Sequence, residues 1–587
     1  MATKKKAGRG ADPRARMWFL VVGCLVVMVV IAARLVAIQG MDQMQLAQQA
    51  LASRLVTKTL PAERGTITAA DGTVLADNAA RYRLVVDQQN IDLYEDEDGE
   101  PLGAWGAAEA IAPILETDPG LVFEKLDGDR RWNPVAEGLT AEVWGEIRAL
   151  GIPGLTTEEY SIRTYPAGAV GGNLLGFVST DGEALAGLEL KYDDVLQGVD
   201  GEQQYERGAR GDYIPLGDSN ITPAVDGQGL RTTIDPTIQY YAQQAIGDAV
   251  AEHEAEWGSV VIREPDTGRV LAVAEAPSVD PNDYGSSEIE DMGARSFTHL
   301  FEPGSTAKMI TAAALIEEGL VTPETEFTVP YEWTAPNDEV FKDSHSHPDQ
   351  KLTFAGIMAE SSNTGTILAG DELSLEQRHD YLSDFGFGQR SAVDFPGGTG
   401  GILHPVEDWD GRTKYTVMFG QGVAATAIQT AEAFSVIAND GVAVPTQLVS
   451  GTVGSSGAVT PVDPGEGTRV VSADTAAQVS AMLEGVVAEG TGGPAAVPGY
   501  RVAGKTGTSQ APSDSGGYDG YTSSFVGYAP AEDPEVVVSV TLQRPRKGYY
   551  GGTSAAPVFS DVTGFTLRHL GVPPSTTTPD LPAREWE

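Results

Sequence analysis

Three short motifs, each occurring once, hold the residues whose types and spacing could do covalent chemistry. Ser305-Thr306-Ala307-Lys308 is the only place where a lysine follows a serine by three positions. Ser361-Ser362-Asn363 is the only S-x-N, and Lys505-Thr506-Gly507 the only K-[ST]-G. A serine hydroxyl attacks a carbonyl only when a neighbouring base takes its proton. Positions i and i+3 share a helix face, so Lys308 can reach the Ser305 hydroxyl if a helix starts there. A helix start also presents free N–H groups to a developing oxyanion. An ordinary lysine, with a pKa of about 10.4, is a poor base at neutral pH. Burial beside a second cation lowers that value. Each triplet alone has a bland reading: a solvated helix face, a loop or cap, a strand end.

The elements that must position these residues are legible from patterning. Ser305 to Glu318 reads as a helix introduced by Pro303-Gly304, with Met309, Ile310, Ala313, Leu315 and Ile316 apolar. Trp257 to Ala276 reads as two strands joined at Asp266-Thr267-Gly268. Arg501 to Thr508, Ser523 to Ala529 and Val536 to Leu542 read as three more, with Lys505 at a strand end. Strands, then helices, then strands predict an antiparallel sheet flanked by helices, an α+β domain. Upstream, Gln39 to Arg54 reads as a Gln/Ala-rich helix, and residues 64–100 alternate around an Asp71-Gly72 turn. Helix-like stretches over 103–160 and a patterned segment from Arg163 to Gly201 follow. Residues 202–230 are polar and Gly/Pro-rich, which suggests a boundary. The segment from Pro573 is expected to be a disordered tail.

The N-terminus places this chemistry outside the cytoplasm. Met17 to Ala33 carries no charge, and the apolar run resumes after Arg34 to Ile38, about the length that crosses a bilayer. Lys4, Lys5, Lys6, Arg9, Arg14 and Arg16 precede it against Asp12 alone, predicting a cytoplasmic N-terminus and an exported bulk. The competing reading, a cleaved signal peptide, lacks a clear A-x-A site. The only cysteine, Cys24, lies inside the span, so the exported part holds no thiol for a disulfide, a zinc-thiolate site or a Cys nucleophile. A formal charge of −44, which is +5 before Met17 and −49 over the remainder, repels nucleic acid.

The three triplets, in this order, resemble those of the penicillin-binding proteins and serine β-lactamases, which implies an acyl-transferring serine, and beyond them the chain resembles the class B penicillin-binding proteins. The resemblance rests on Phe301 to Lys308, Gly504 to Gln510, Phe419 to Gln429, Ser524 to Tyr528 and Tyr549-Tyr550-Gly551-Gly552. Upstream, Arg64-Gly65-Thr66-Ile67, Asp71-Gly72, Leu75-Ala76, Arg163 to Gly168, Gly176-Phe177-Val178 and Gly187-Leu188-Glu189 resemble the N-terminal module of that family. Ala69-Ala70 and Ala294 depart from it, outside the catalytic triplets.

The resemblance implies a cytoplasmic tail (1–16), a transmembrane anchor (17–38), an elongated dimerisation-type pedestal (39–225), a transpeptidase domain (226–570) and the tail (571–587). It implies that Ser305 attacks the penultimate D-alanine carbonyl of a stem peptide, Lys308 takes its proton and Ser361 relays a proton to the leaving amine. Asn363 would bond the substrate amide, and Lys505 would supply charge that lowers the pKa of Lys308. Thr506, Gly507 and Thr508 would line the carboxylate site, and the N–H groups of Ser305 and Thr508 the oxyanion hole. β-Lactams would trap Ser305 as an ester, and no cofactor is implied. Gly176-Phe177-Val178 leans towards the division-associated branch, with a SEDS-type membrane glycosyltransferase and division-complex proteins as partners. An elongation-type transpeptidase, a carboxypeptidase or β-lactamase, and a non-catalytic β-lactam sensor are the alternatives. Asp343, His345 and His347 alternate, so in a strand they would share one face and could bind zinc, but an exposed polar strand or loop is the favoured reading, no Cys or fourth ligand accompanies them and no metal is assigned.

Overall fold

The computed structural model describes residues 13–41, 55–96, 98–206, 219–513 and 516–587. They form two compact units that do not follow a single cut along the chain. One holds residues up to Ala62 with 198–226, and the other holds 63–197 with 227–587.

In the first unit, Pro13–Val36 is a 24-residue helix. At a rise of about 1.5 Å per residue it is long enough to cross the hydrocarbon core of a bilayer. Its apolar side chains are exposed rather than packed, and its most apolar window has a mean hydropathy of 2.8. A π-helical turn, Ala37–Met41, continues it. The remainder of the helix expected to reach Arg54 lies outside the described residues. Leu55–Leu60, Gly201–Glu206 and Ser219–Thr222 form an antiparallel sheet. These last two strands flank residues 207–218, the part of the expected boundary segment that also lies outside the described residues.

The second unit is built on a five-stranded sheet. Its strands are β1 (Trp257–Arg263), β2 (Val270–Ala276), β3 (Ala503–Pro512), β4 (Tyr518–Ala529) and β5 (Val536–Gln543). The order is β2-β1-β5-β4-β3, antiparallel throughout. Side chains of a strand alternate between faces. Here both faces are covered, so β1 and β5 are buried at every residue. Val260, Ile262, Val538 and Val540 pack with helices α1 (Pro236–His253) and α7 (Ala555–His569). The other face meets α2 (Lys308–Glu317), α5 (Ala427–Ala438) and α6 (Ala473–Glu489), with Val526, Tyr528 and Val537 in that core. Two short helices, α3 (Phe354–Glu360) and α4 (Asn363–Gly370), meet at Ser361-Ser362.

Residues 63–197 add a second sheet, and transpeptidase-side strands join it. Ile67–Thr68 pairs with Val74–Val86 around the Asp71-Gly72 turn and, in parallel, with Gly229–Thr232. Gly229–Thr232 in turn pairs with Val449–Val453. Behind this sheet the upstream motifs converge on one carboxylate. Fully buried Glu189 accepts from Arg64 Nε at 2.6 Å and from Arg163 Nε at 2.7 Å. Arg64 also pairs with Asp193 at 2.6 Å, and Arg163 Nη2 donates to Gly65 O. Arg64-Gly65, Arg163 to Tyr165 and Gly187-Leu188-Glu189, scattered in the sequence, are one hydrogen-bonded network.

The C-terminal segment differs from the disordered tail expected of 571–587. Tyr500 donates to Val572 O, Ser575 pairs with Gly499 and Arg501, and Leu352 bridges Glu585. Trp586 Nε1 donates to Phe327 O at 3.0 Å. The proline- and threonine-rich composition lacks the apolar periodicity of a helix or strand, yet the segment is ordered by hydrogen bonds to the domain surface. Patterning within the segment could not register partners that lie more than 70 residues away.

Candidate active site

Ser305 stands in a single 3₁₀ turn, Gly304–Ala307, and α2 proper begins at Lys308. The expected helix start is therefore a tight turn feeding a helix. Phe419 to Gln429, another motif quoted from the sequence, holds this turn from behind. Gly304 N donates to Gly420 O, Phe301 bridges Ala425, and Gly422 N donates to Glu302 Oε1 at 2.9 Å. β3 closes the other side. A Cβ on Gly507 would lie 2.2 Å from Ser524 Oγ and 2.9 Å from Pro303 O, so only glycine lets the strand approach the turn. Gly551 meets the same crowding from Gly507 O and Ser524 O, each 2.3 Å from its would-be Cβ, and its N–H donates to Thr508 Oγ1.

Ser361 is the residue on which the triplets converge. Its φ of +60° puts it in the left-handed region, where it ends α3. Such a conformation is uncommon for a residue with a Cβ and is held by the surroundings. Ser362 then caps α4, accepting from Gly365 N at 2.9 Å. Lys308 Nζ donates to Ser361 O at 2.5 Å and Ser361 Oγ at 3.4 Å, and Lys505 Nζ donates to the same Oγ at 2.9 Å. Lys308 was expected to reach Ser305. In this structure its ammonium is instead bonded to Ser361, with half-buried Ser305 one helical turn before it.

Both lysines are fully buried. Burial lowers the pKa of Lys308 to about 7, with Asp343 pulling the other way. Burial also takes Lys505 well below its usual value, and repulsion from Lys308 adds to this. Burial beside a second cation, Lys505, was expected to depress Lys308. Desolvation is the leading cause for both, and the repulsion belongs to the pair. A lysine that is half-deprotonated near neutral pH can accept a hydroxyl proton, and a serine bonded to two lysines can pass one on.

The remaining expected residues lie on the same strand and helix. Lys505 is the third residue of the ten-residue β3 rather than its end, because the ladder with β4 runs on to Pro512. Thr506 Oγ1 is 3.2 Å from Thr491 Oγ1 and 3.4 Å from Lys505 Nζ. Asn363, the first residue of α4, directs Nδ2 to Lys342 O at 3.3 Å.

Asp343 does something the sequence did not disclose. Its Oδ1 accepts from Asn363 N and Thr364 N, and its Oδ2 accepts from Ser362 Oγ at 2.7 Å and pairs with His347 Nε2 at 3.0 Å. A carboxylate on the free N–H groups of a helix start is a stabilising arrangement. His345 turns instead to Ser344 Oγ and the Tyr550 ring. The strand Val340–Lys342 ends before Asp343, His345 and His347, so they lie in a loop and the one-face arrangement that a strand would give does not form. Among the described residues no group of three metal-ligating side chains converges. The alternation of Asp343, His345 and His347 was visible in the sequence, but nothing in it brought Asp343 to Ser362.

A serine, two buried lysines and a second serine, set between a helix start and the end strand of an antiparallel sheet, define a serine acyltransferase site. Comparison with known proteins gives the same class. "Penicillin binding protein transpeptidase domain" matches residues 258–564, and "Penicillin-binding Protein dimerisation domain" matches 59–232. The chain belongs to the class B penicillin-binding proteins and is a peptidoglycan D,D-transpeptidase. It is 33% identical over 580 residues to penicillin-binding protein PbpB of Mycolicibacterium smegmatis, covering 94% of this chain and 89% of that one. It is 31% identical to the probable peptidoglycan D,D-transpeptidase PenA of Neisseria meningitidis, covering 88% and 86%. The crystal structure of penicillin-binding protein 3 of Mycobacterium tuberculosis with aztreonam superposes with a TM-score of 0.70 at 29% identity, covering 90% of this chain and all of that one.

Proposed function

We propose that this protein cross-links stem peptides through an acyl-enzyme on Ser305, in the synthesis of the division septum. The observation that carries the reading is the convergence of two fully buried lysines on the Ser361 hydroxyl, directly beside the turn that holds Ser305. Ser305 Oγ attacks the penultimate D-alanine carbonyl, forming a C–O bond as the C–N bond to the terminal D-alanine breaks. Neutral Lys308 takes the hydroxyl proton, and Ser361, polarised by Lys505, passes a proton to the departing amine. Asn363 holds the donor amide, while Thr506, Gly507 and Thr508 bind its terminal carboxylate with Lys505. The N–H groups of Ser305 and Thr508 receive the oxyanion. An amine of a neighbouring stem then attacks the ester, restores the Ser305 hydroxyl and completes the cross-link. β-Lactams stop at the ester.

In this reading residues 1–16 are cytoplasmic and 17–38 anchor the chain. Residues 39–225 form a pedestal, and 226–570 form the transpeptidase domain outside the membrane. A SEDS-type glycosyltransferase and division-complex proteins are its partners. Fluorescent penicillin applied to cells carrying wild type or Ser305→Ala tests the core of the proposal. Wild type should label at the septum and Ser305→Ala should not label. Labelling of Ser305→Ala would overturn the acyl-enzyme, and side-wall labelling of wild type would overturn the septal role.

A further inference from the structure

The C-terminal segment crosses the face of the domain between two places that bear on the site. At its near end it grips the entry to β3. Ser575 N donates to Gly499 O, Arg501 N donates to Ser575 Oγ at 3.0 Å, and Arg501 Nη1 donates to Thr577 Oγ1 at 2.9 Å. Arg501 lies four residues before Lys505. At its far end the segment grips both ends of α3. Thr353, the N-cap of α3, donates its N–H to Arg584 O at 2.9 Å and its hydroxyl to Ala583 O. A Cβ on Gly356 would fall 2.0 Å from Arg584 O, so this contact leaves no slack.

Arg584 then reaches the other end of the helix. One arm of its guanidinium pairs with Glu360, the residue immediately before Ser361, and Nη1 donates to Glu489 O at 2.7 Å. Two residues beyond Glu489, Thr491 N donates to Ala359 O, and Thr491 Oγ1 lies 3.2 Å from Thr506 Oγ1. Arg584 thus ties the Ser361 junction to the loop that touches the Lys505-Thr506-Gly507 strand. Trp586 anchors the end, donating to Phe327 O beneath the Lys351 ammonium, which stands 4.5 Å from its ring centroid.

We propose that residues 572–587 are a strap that holds the Ser361 junction in register with Lys505, and that Arg584 is its positioning residue. Ser361 needs such support. It sits in the left-handed region between two short helices, and both lysines must reach it. A displacement of about 1 Å at a catalytic group costs about 10²-fold in rate, so small losses of register are kinetically visible. Arg584 touches no reacting atom. Its effect passes through Glu360 and the Glu489–Thr491 loop.

The inference rests on the reading of Ser305 as nucleophile, and the test separates the two. The full chain in detergent is acylated with fluorescent penicillin, and the saturating acylation rate is measured separately from the concentration giving half that rate. Ser305→Ala serves as the parallel control, and labelling of that variant would sink the nucleophile reading rather than the strap. Arg584→Ala should lower the saturating rate about five- to tenfold, as expected for losing charge-assisted hydrogen bonds, with little change in the half-saturating concentration. Arg584→Lys should recover part of the rate. Trp586→Ala, which leaves the Glu360 pair in place, should act in the same direction and decides the matter if Arg584→Ala does not fold. Wild-type saturating rates in the folded variants, or labelling lost only in step with the folded fraction, would overturn the strap.

Discussion

Two clusters of buried charge in the same unit are built on opposite plans. Around Glu189, each buried charge has a partner: Arg64 and Arg163 share one carboxylate, and Asp193 takes the second arm of Arg64. Around Ser361, two buried ammonium groups bond neutral oxygens, the Ser361 carbonyl and hydroxyl, and among the described residues neither is hydrogen-bonded to a carboxylate, though Asp343 acts on Lys308 as a counter-charge. Pairing charges satisfies them and fixes a geometry, whereas burying like charges together leaves them poised to lose a proton. The first cluster is suited to hold strands together, the second to move protons. A catalytic base must be held in an environment that disfavours its charged form, so the site carries a stability cost the network does not.

The comparison can be broken most sharply by removing a charge from each cluster. Lys308→Met should slow penicillin acylation about 10²- to 10⁴-fold, the range expected for losing a general base. It should leave the unfolding midpoint unchanged or higher, because a disfavoured buried cation is removed. A destabilised Lys308→Met would show that the lysines also hold the fold. Glu189→Gln should do the reverse. It leaves Arg163 without a carboxylate partner and Arg64 with Asp193 alone, and should cost about 3–5 kcal/mol in denaturant unfolding, while the folded fraction labels at close to the wild-type rate. Normal stability in that variant would remove the contrast.

The smallest effect is graded by pH. In the proposed mechanism Lys308 serves as the base only when neutral, so with its pKa near 7 the acylation rate should fall about tenfold per pH unit below that value. Stability should move in the same sense. The unfolded chain, with lysine at its ordinary 10.5, binds more protons than the folded one between about 7 and 10.5. Unfolding free energy therefore rises with pH through that window, provided no other group titrates against it. A rate that stays flat down to pH 5 would place the base elsewhere.

Much of the sheet was legible because its strands are continuous, strongly apolar runs bounded by turn residues. β1 and β2 lie where Trp257 to Ala276 predicted them, β5 matches its predicted span closely, and β4 ends where predicted but starts earlier. The terminal apolar helix was legible for the same reason. Less legible were features whose cause lies across the chain. Lys505 stands inside a strand because its partner β4 extends to Tyr518, well before the predicted start at Ser523. The segment after Pro573 is ordered because Thr353, Glu360, Phe327 and Arg501 receive it.

By itself, the sequence determined which residues are available for chemistry. With the only cysteine in the apolar span, the motif-bearing part is left with oxygen nucleophiles, and three unrepeated triplets name Ser305, Lys308, Ser361, Asn363 and Lys505. Only the tertiary structure decided how they act on one another. It put both lysines on Ser361, made desolvation the chief cause of their lowered pKa values, and set the Asp343 carboxylate on the first N–H groups of α4. The physical reason is that a pKa and a hydrogen bond depend on the burial and position of groups far apart in the chain, and neither is written in local spacing.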